Sequence, residues 1–146
     1  MPARPHCSVR EADWYNDQAA IRAVRYAVFV IEQGIPEALE WDGLDADCRH
    51  ILARSDSGEP VATGRLTPEG RIGRMAVLPA WRRQGVGRAL LAQLLQLAAS
   101  RGLADVALHA QRDAAGFYRR EGFQESGDPF ESAGIVHVRM TRSIAP

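Results

Sequence analysis

Lysine is absent from this sequence, and all 18 basic residues are arginine. A Walker-type phosphate loop needs its lysine and Schiff-base catalysis needs a lysine amine, so both are excluded. Cysteine is also scarce, because Cys7 and Cys48 are too few for a disulfide scaffold or a four-cysteine metal site. We therefore expect two free thiols and no bound metal.

Long apolar runs and an excess of one charge are missing as well. No stretch approaches the roughly 18 apolar residues of a membrane span, and the first residues, MPARPHCSVREADW, lack the apolar core of a secretory signal. The 18 basic residues balance 18 acidic ones, whereas nucleic-acid-binding proteins normally carry a basic excess. We expect one cytoplasmic domain over 1–146, with its core at about 9–141, that binds neither membrane nor nucleic acid.

Periodic apolar residues and turn signals predict a mixed α/β (α+β) fold. Helices are predicted at 15–33, 86–100 and 114–121, with a short helical turn at 36–41, and strands at 50–54, 61–66, 71–77, 104–110, from 123 and at 135–141, with loops at 41–45 and 127–134. The strands joined through helix 86–100 should run parallel, and the others should form hairpins. We therefore expect a mixed, mostly antiparallel sheet with helices on both faces.

A glycine-containing segment between a predicted strand and a predicted helix predicts an anion site. A helix start exposes unpaired N–H groups and a positive dipole end. Glycines let phosphate oxygens approach the backbone, and arginines add fixed positive charge. Turning glycines and solubilising arginines would give the same short pattern. The residues of this predicted phosphate or pyrophosphate cradle are Arg82, Arg83, Gln84, Gly85, Val86, Gly87, Arg88 and Ala89.

Two neighbouring segments strengthen that interpretation. Met75, Ala76 and Val77 end the strand before the cradle. If that end diverges from strand 104–110, its free N–H and C=O groups can pair with an amide-bearing arm as they would with another strand. The segment 111–123 then lies on the other side of the gap.

These motifs resemble the GCN5-related N-acetyltransferase (GNAT) superfamily over about residues 9–141. The motifs are Arg82-x-x-Gly85-x-Gly87 after Met75-Ala76-Val77, then Ala114-x-x-Phe117-Tyr118-x-x-x-Gly122-Phe123. Three others resemble its ElaA/YjcF-like branch: Val28-Phe29-Val30-x-Glu32-Gln33, Glu40-x-Asp42-Gly43-x-Asp45 and Glu131-x-x-x-Ile135-x-His137-x-x-Met140.

The resemblance implies a three-layer fold whose sheet is splayed into a V that holds acetyl-CoA. It implies that the amides of 84–89 hold the pyrophosphate, that 75–77 pair with the pantetheine arm and that Gln111 contacts that arm. Tyr118 matches the tyrosine that commonly lies near the thioester sulfur. The implied reaction is direct acetyl transfer to the primary amine of a small molecule, with the Val77 N–H stabilising the carbonyl oxygen. A homodimer is compatible with the resemblance.

The general base is left open by the residues. Glu32, near the acceptor by resemblance, is one candidate, and an ordinary exposed glutamate is the alternative. His137, on the last predicted strand, is the second candidate. We expect His50 to be an ordinary hydrogen-bonded histidine and His109 to be packed under a helix, because it alternates with apolar neighbours.

The acceptor and the function class are also open. A group of acidic residues follows the first helix; it predicts a solvated loop, or a cationic acceptor if it borders the cleft. Arg65 and Arg74 could instead bind an anionic acceptor. The alternatives to an enzyme are a non-catalytic acyl-CoA sensor or interaction domain and another kind of nucleotide-phosphate binder. The acidic residues are Glu37, Glu40, Asp42, Asp45 and Asp47.

Overall fold

A computed structural model describes residues 7–144. The eight strands of this range form one mixed sheet. The strands are β1 (Cys7–Ala12), β2 (Arg49–Ser55), β3 (Pro60–Leu66), β4 (Arg71–Val77), β5 (Asp105–Gln111), β6 (Gln124–Glu125), β7 (Phe130–Ser132) and β8 (Ile135–Ser143). The helices are α1 (Trp14–Arg25), α2 (Glu37–Glu40), α3 (Val86–Ser100) and α4 (Ala115–Arg120), with a π-helix at Tyr26–Glu32. Within residues 7–144, every helix is too short or too polar to span a bilayer.

The strand order is β1–β2–β3–β4–β5–β8–β6, and β7 pairs with β8. Among the strands of residues 7–144, only β4 and β5 run parallel, because α3 connects them and returns the chain to the same end of the sheet. The mixed, mostly antiparallel sheet with helices on both faces is therefore confirmed.

Helices α1 and α3 cover opposite faces of the sheet. Gly64 of β3 faces α3, where an added Cβ would lie 2.9 Å from Leu94 Cδ1, so glycine permits the close approach of this helix. The next side chain, Arg65, points to the α1 face because side chains alternate along a strand. The main apolar core lies on the α3 face, around Leu90 and Leu94.

The first helix covers almost the predicted range 15–33, but it is less regular than its apolar spacing predicts. It begins as α1 and continues directly as the π-helix, after which the Gln33 N–H donates to the Val28 carbonyl at 3.0 Å. The helical apolar spacing predicts a buried face of Ile21, Val24, Val28 and Ile31. The first three are buried, whereas Ile31 is exposed and Phe29 is buried instead. π-Helical turns are rare and occur frequently at functional sites. This irregular segment therefore indicates a functional role for the end of the helix.

Two strands were not predicted. β1 alternates poorly in polarity and owes its conformation to pairing with β2 along its whole length. β7 lies inside the predicted loop 127–134 and joins β8 through a two-residue turn in which Ala133 and Gly134 have φ values of 53° and 77°. Positive φ at both positions is the geometry of a hairpin turn, although alanine is an unusual residue there.

The parallel strands β4 and β5 separate after two residue pairs, Arg71 with Ala107 and Ile72 with Leu108. A bulge in β4 lies just beyond these pairs. Thr63 and Arg65 of β3 are two residues apart, but their partners in β4, Ala76 and Gly73, are three residues apart. Within the bulge Arg74 has a φ of 49°, a left-handed conformation that is costly for a residue other than glycine. The expected V in the sheet is thus present, and its apex is at this bulge.

Six buried or half-buried charged residues form a closed ring that fixes the bulge in place. Going round the ring, each arginine contacts two carboxylates, at distances of 2.6–3.4 Å. We call it the charge ring, and its members in order are Arg25, Glu40, Arg74, Asp42, Arg65 and Asp45. It joins α1, α2, the following loop, β3 and β4.

The charge ring corrects the expectation that the acidic segment is a solvated loop. Arg25 is fully buried, and Glu40 and Asp45 are also buried. Burial alone would raise the pKa of Asp45, but hydrogen bonds from Arg25 and Arg65 outweigh burial and hold it below the usual carboxyl value. The pKa of Asp42 is lowered in the same way, against its burial, by Arg65. These carboxylates are internal counter-ions.

We expect Asp45→Asn to lower the free energy of unfolding by about 3–5 kcal/mol, since it leaves Arg25 and Arg65 without a buried counter-ion. Urea unfolding at neutral pH measures this, and Asp47→Asn, at an exposed position, should change it by less than about 0.5 kcal/mol.

Asp45→Asn should also reduce the loss of unfolding free energy that the wild type shows as the pH is lowered. The native pKa of Asp45 is depressed, so its stabilisation is present above the unfolded carboxyl pKa and is lost as pH falls below about 4. Equal stability of wild type and Asp45→Asn at neutral pH would contradict the structural role of the ring.

Candidate active site

A cavity of about 650 Å³ fills the V between β4 and β5. Its walls come from the ends of both strands, the π-helix, the start of α3, α4 and β8. Every predicted site residue lines it except Gln84 and Ala89. Those that do are Glu32, Met75, Ala76, Val77, Arg82, Arg83, Gly85, Val86, Gly87, Arg88, Gln111, Tyr118 and His137.

The start of α3 forms the end of the cavity that is richest in backbone donors. Arg83 and Gly85 have φ values of 62° and 84°, so the chain turns through two left-handed residues just before the helix. No side chain within the described residues caps the first helical amides, those of residues 86–88. Successive N–H groups in such a turn and helix start form a concave anion site.

The two predicted cradle residues that do not line the cavity have other partners. The Ala89 N–H donates to the Gly85 carbonyl at 3.0 Å, so it is already used by the helix. The Gln84 side chain donates to the Ala80 carbonyl at 2.9 Å and folds back on its own loop. The available helical donors are therefore the amides of residues 86–88.

Gly87 lines the cavity in the first turn of α3. A Cβ added there would lie 3.8 Å from Phe117 Cζ and 4.0 Å from Val77 Cγ2, which are ordinary contact distances. An alanine would therefore fit the protein itself, but its methyl group would occupy space beside the exposed amides.

Arg82 joins three parts of the site. Its Nε donates to the Val77 carbonyl at 2.9 Å, and its two terminal nitrogens donate to the carboxylate of Glu32 at 2.7 and 2.6 Å. This hydrogen bonding lowers the pKa of Glu32. Arg82 and Glu32, each predicted to serve a ligand, are thus bound to each other.

The free edge of β4 presents a donor to the gap. The Leu78 N–H donates to the Val61 carbonyl at 2.9 Å, which places the Leu78 backbone on the β3 side. Because backbone groups alternate along an antiparallel ladder, the Val77 N–H points away from β3, toward the gap. With its carbonyl taken by Arg82, Val77 offers only the N–H.

Tyr118 of α4 extends its hydroxyl into the cavity. The hydroxyl donates to Met75 Sδ at 3.4 Å, and the ring packs edge-on against Phe117 and Phe123, with centroids 5.0 and 5.9 Å away. Burial raises the pKa of Tyr118 to about 12. The phenol therefore stays protonated at neutral pH and is held beside a sulfur atom.

His137 of β8 presents one ring nitrogen to the cavity. Its Nδ1 lies 2.8 Å from the Ile135 carbonyl, which can only accept, so the hydrogen-bond pattern assigns the proton to Nδ1. Nε2 then carries a lone pair and can accept a proton. The ring stacks on Phe130 of β7 at a centroid distance of 5.7 Å.

The prediction for His109 was wrong, because no helix within the described range 7–144 covers it. His109 is exposed, and its ring meets Phe130 of β7 edge-on at 5.0 Å. The alternation of β5 correctly indicated the face opposite the core, but that face is partly covered by the β7–β8 hairpin, which the sequence did not reveal.

His50, in contrast, is buried as expected, stacked on Trp14 and hydrogen-bonded to the Asp45 carbonyl at 2.8 Å.

Neither cysteine belongs to the site. Cys7 and Cys48 lie outside the cavity lining, and burial raises the pKa of both thiols. Both are therefore less reactive than an ordinary thiol at neutral pH.

Sequence reasoning missed several residues of the cavity lining. Arg120 of α4 adds a cation, and Gln33 accepts a hydrogen bond from Gln111 at 2.8 Å across the gap. The branch motif was the one sequence signal for Gln33, whereas Glu40 also belonged to the acidic group that was considered for the border of the cleft.

Comparison with known proteins decides the family. Residues 11–144 match a family profile described as acetyltransferase (GNAT) domain. The chain belongs to the GNAT acetyltransferase family.

Relatives of this GNAT protein include members of the ElaA/YjcF-like branch. YjcF of Bacillus subtilis, an uncharacterized N-acetyltransferase, is 36% identical over 123 residues, or 82% of this chain and 87% of the relative. Escherichia coli ElaA superposes with a TM-score of 0.83 at 31% identity, covering 92% of this chain and 99% of that one. An acyl-CoA N-acyltransferase from Pseudomonas aeruginosa gives a TM-score of 0.81 at 33% identity, covering 93% and 97%.

The GNAT fold implies the use of an acyl-CoA, and the cavity fits such a ligand. The exposed amides of residues 86–88 suit a diphosphate, and Arg83, Arg88 and Arg120 line the same cavity. A free strand edge suits an amide-bearing arm.

We expect Gly87→Ala to weaken CoA binding by about ten- to a hundred-fold, because its methyl group would displace phosphate oxygens from charge-assisted hydrogen bonds. The melting temperature should stay the same or rise, since alanine is favoured over glycine within a helix. Calorimetric titration with CoA measures the first effect and thermal unfolding the second.

Gly116→Ala is the matched control, because an added Cβ there meets only the flexible end of Arg120 at 3.5 Å. It should bind CoA like the wild type. Wild-type affinity in Gly87→Ala would mean that the phosphates bind elsewhere.

Proposed function

We propose that this protein transfers the acetyl group of acetyl-CoA to the primary amine of a small molecule by direct attack. The observation that carries the proposal is that the exposed amides of α3, the free edge of β4 and the Tyr118 hydroxyl all line one cavity. Its volume of about 650 Å³ lies in the range of small-molecule sites. Acetyl-CoA supplies the activated acyl thioester.

Binding is assigned to backbone groups and arginines. The amides of residues 86–88 would hold the diphosphate, assisted by Arg83 and Arg88. The 75–77 edge would pair with the pantetheine arm, with Gln111 beside it. Arg82 would act mainly by joining the loop to β4 and to the π-helix, because its guanidinium is already bound to Glu32.

The reaction requires two proton movements. The neutral amine nitrogen forms a bond to the acetyl carbon while the C–S bond breaks; a base removes the proton of the amine, and a donor assists the leaving sulfur. The Val77 N–H, which points into the gap, is suited to stabilise the carbonyl oxygen as it gains negative charge.

Tyr118 is proposed as the donor to the leaving sulfur. Its hydroxyl already donates to one sulfur atom, Met75 Sδ, and the raised pKa of the phenol keeps its proton available at neutral pH. A departing thiolate is a stronger acceptor than a thioether, so the hydroxyl would switch to it.

His137 is favoured over Glu32 as the base. The Nδ1–H of His137 is fixed by a carbonyl, which leaves the Nε2 lone pair free. Glu32 is ion-paired with Arg82, and the lowered pKa of its carboxyl makes it a weaker base.

We expect Tyr118→Phe to lower kcat by about 10²–10⁴-fold, the usual contribution of general acid–base assistance, while CoA affinity stays within about twofold. Steady-state acetylation and CoA calorimetry measure the two quantities. Tyr15→Phe, at a largely exposed position, is the control. Full turnover in Tyr118→Phe would remove the tyrosine from the mechanism.

We expect His137→Gln to lower kcat/KM by about 10²–10⁴-fold, because Nε2 can no longer accept the proton of the amine. Glu32→Gln is the paired variant and should act less strongly, through the disturbed Arg82 contact. The reverse order of effects would transfer the base role to Glu32.

The proposed function as a whole is tested by mass-spectrometric detection of acetylated products from a mixed amine library with acetyl-CoA. N-acetylated products from small amines support it. Stabilisation by CoA without any product would instead favour a sensor, and competition by ATP in thermal unfolding would favour a nucleotide site.

A further inference from the structure

We propose that the acceptor amine also carries an oxyanion, a carboxylate or a phosphate group, which binds in a side pocket beside Arg71. This inference rests on the proposed function, because it names the substrate class of the same site.

The side pocket, of about 120 Å³, lies between β4, β5 and the β7–β8 hairpin. It shares Gly73, Arg74, His109 and His137 with the main cavity, so the two spaces adjoin. A small molecule with its amine in the main cavity, near His137, can therefore extend its other end toward Arg71.

The titratable groups that line the side pocket are all basic. Arg65 and Arg74 are neutralised by the carboxylates of the charge ring. The guanidinium of Arg71, in contrast, makes no hydrogen bond or ion pair with any residue of the described range 7–144. Glu69, in the turn before β4, is close enough to sense its charge but does not pair with it.

Positively charged side chains lie close together around the side pocket. The pKa of His109 is lowered first by the partial burial of its ring and then by the positive charges of Arg71 and Arg139. Such an arrangement is unfavourable without a counter-ion, and a bound oxyanion would relieve the repulsion. It would also accept hydrogen bonds from Arg71, whose guanidinium is suited to bidentate binding.

The positions of the nearby acids agree with this assignment. Phe130 and Ser132 of β7 face the side pocket, so the intervening Glu131 points to the other face of the strand. Three of the five acids that would favour a cationic acceptor, Glu40, Asp42 and Asp45, are neutralised within the charge ring. The site therefore favours an amine with an anionic end, of the amino-acid or aminoalkyl-phosphate type.

Binding can be tested without turnover and without CoA. The chain contains four histidines, so imidazole signals in NMR spectra are few. Acetate and inorganic phosphate are titrated separately, with methylammonium as the cationic probe. We expect at least one anion to shift the His109 and His137 signals while the buried His50 signal stays in place, and the tighter anion identifies the oxyanion.

Variants of Arg71 make the test specific. Arg71→Gln should weaken anion binding by about tenfold or more, Arg71→Lys should retain part of it, and Arg10→Gln, on the exposed far edge strand, should leave it unchanged. Their thermal unfolding curves report whether they are folded. The proposal is overturned if neither anion shifts His109 and His137, if methylammonium does so instead, or if folded Arg71→Gln binds like the wild type.

Matched acceptors extend the test to catalysis. An amino acid and the amine that lacks only its carboxylate are compared, and an aminoalkyl phosphate with its alcohol. Arg71→Gln should raise KM by about tenfold or more for the anionic member alone. Anion binding at Arg71 without acetylated product would overturn the proposed function but still support an anion site in the side pocket. Acetylation of amines at rates that depend neither on their anionic group nor on Arg71 would support the proposed function and overturn the anion site.

Discussion

The charge ring is the interaction on which the rest of the structure depends. A left-handed arginine in the middle of a strand is unfavourable by itself, and it persists because the guanidinium of Arg74 is held by Glu40 and Asp42. That conformation produces the bulge in β4, and beyond the bulge β4 and β5 no longer pair. The cavity between them is therefore a consequence of electrostatics on the α1 face of the sheet.

The start of α3 and the ring act on the cavity from opposite faces. Gly64 lets α3 approach the sheet closely, which brings the exposed amides of its first turn to the edge of the gap. Arg82 then joins that turn to the end of β4 and to the π-helix through Glu32. The donor groups of the site are thus held by contacts between elements that are distant in sequence, and their geometry does not depend on any one loop.

Sequence patterns predicted the features that depend on residues close together in the chain. Two glycines at the start of an amphipathic helix indicated the exposed amides that we propose as the phosphate cradle, and the crossover through α3 indicated the parallel strand pair. The charge ring could not be predicted, because its partners lie 15 to 34 positions apart and an acidic segment looks the same whether water or arginine surrounds it. His109 failed for a related reason, since β7 forms only by pairing with β8. The roles of the individual site residues are still proposals, because sequence and geometry bring them together without testing their chemistry.

The use of arginine at every basic position has a chemical consequence for a protein proposed to acylate amines. A guanidinium stays protonated at any physiological pH and has no nucleophilic lone pair. The cations around the cavity, among them Arg74, Arg82 and Arg83, therefore cannot compete with the acceptor for the acyl group. A lysine in the same position could be self-modified and lose its charge, so the all-arginine wall keeps both its electrostatic field and its fold through repeated turnover.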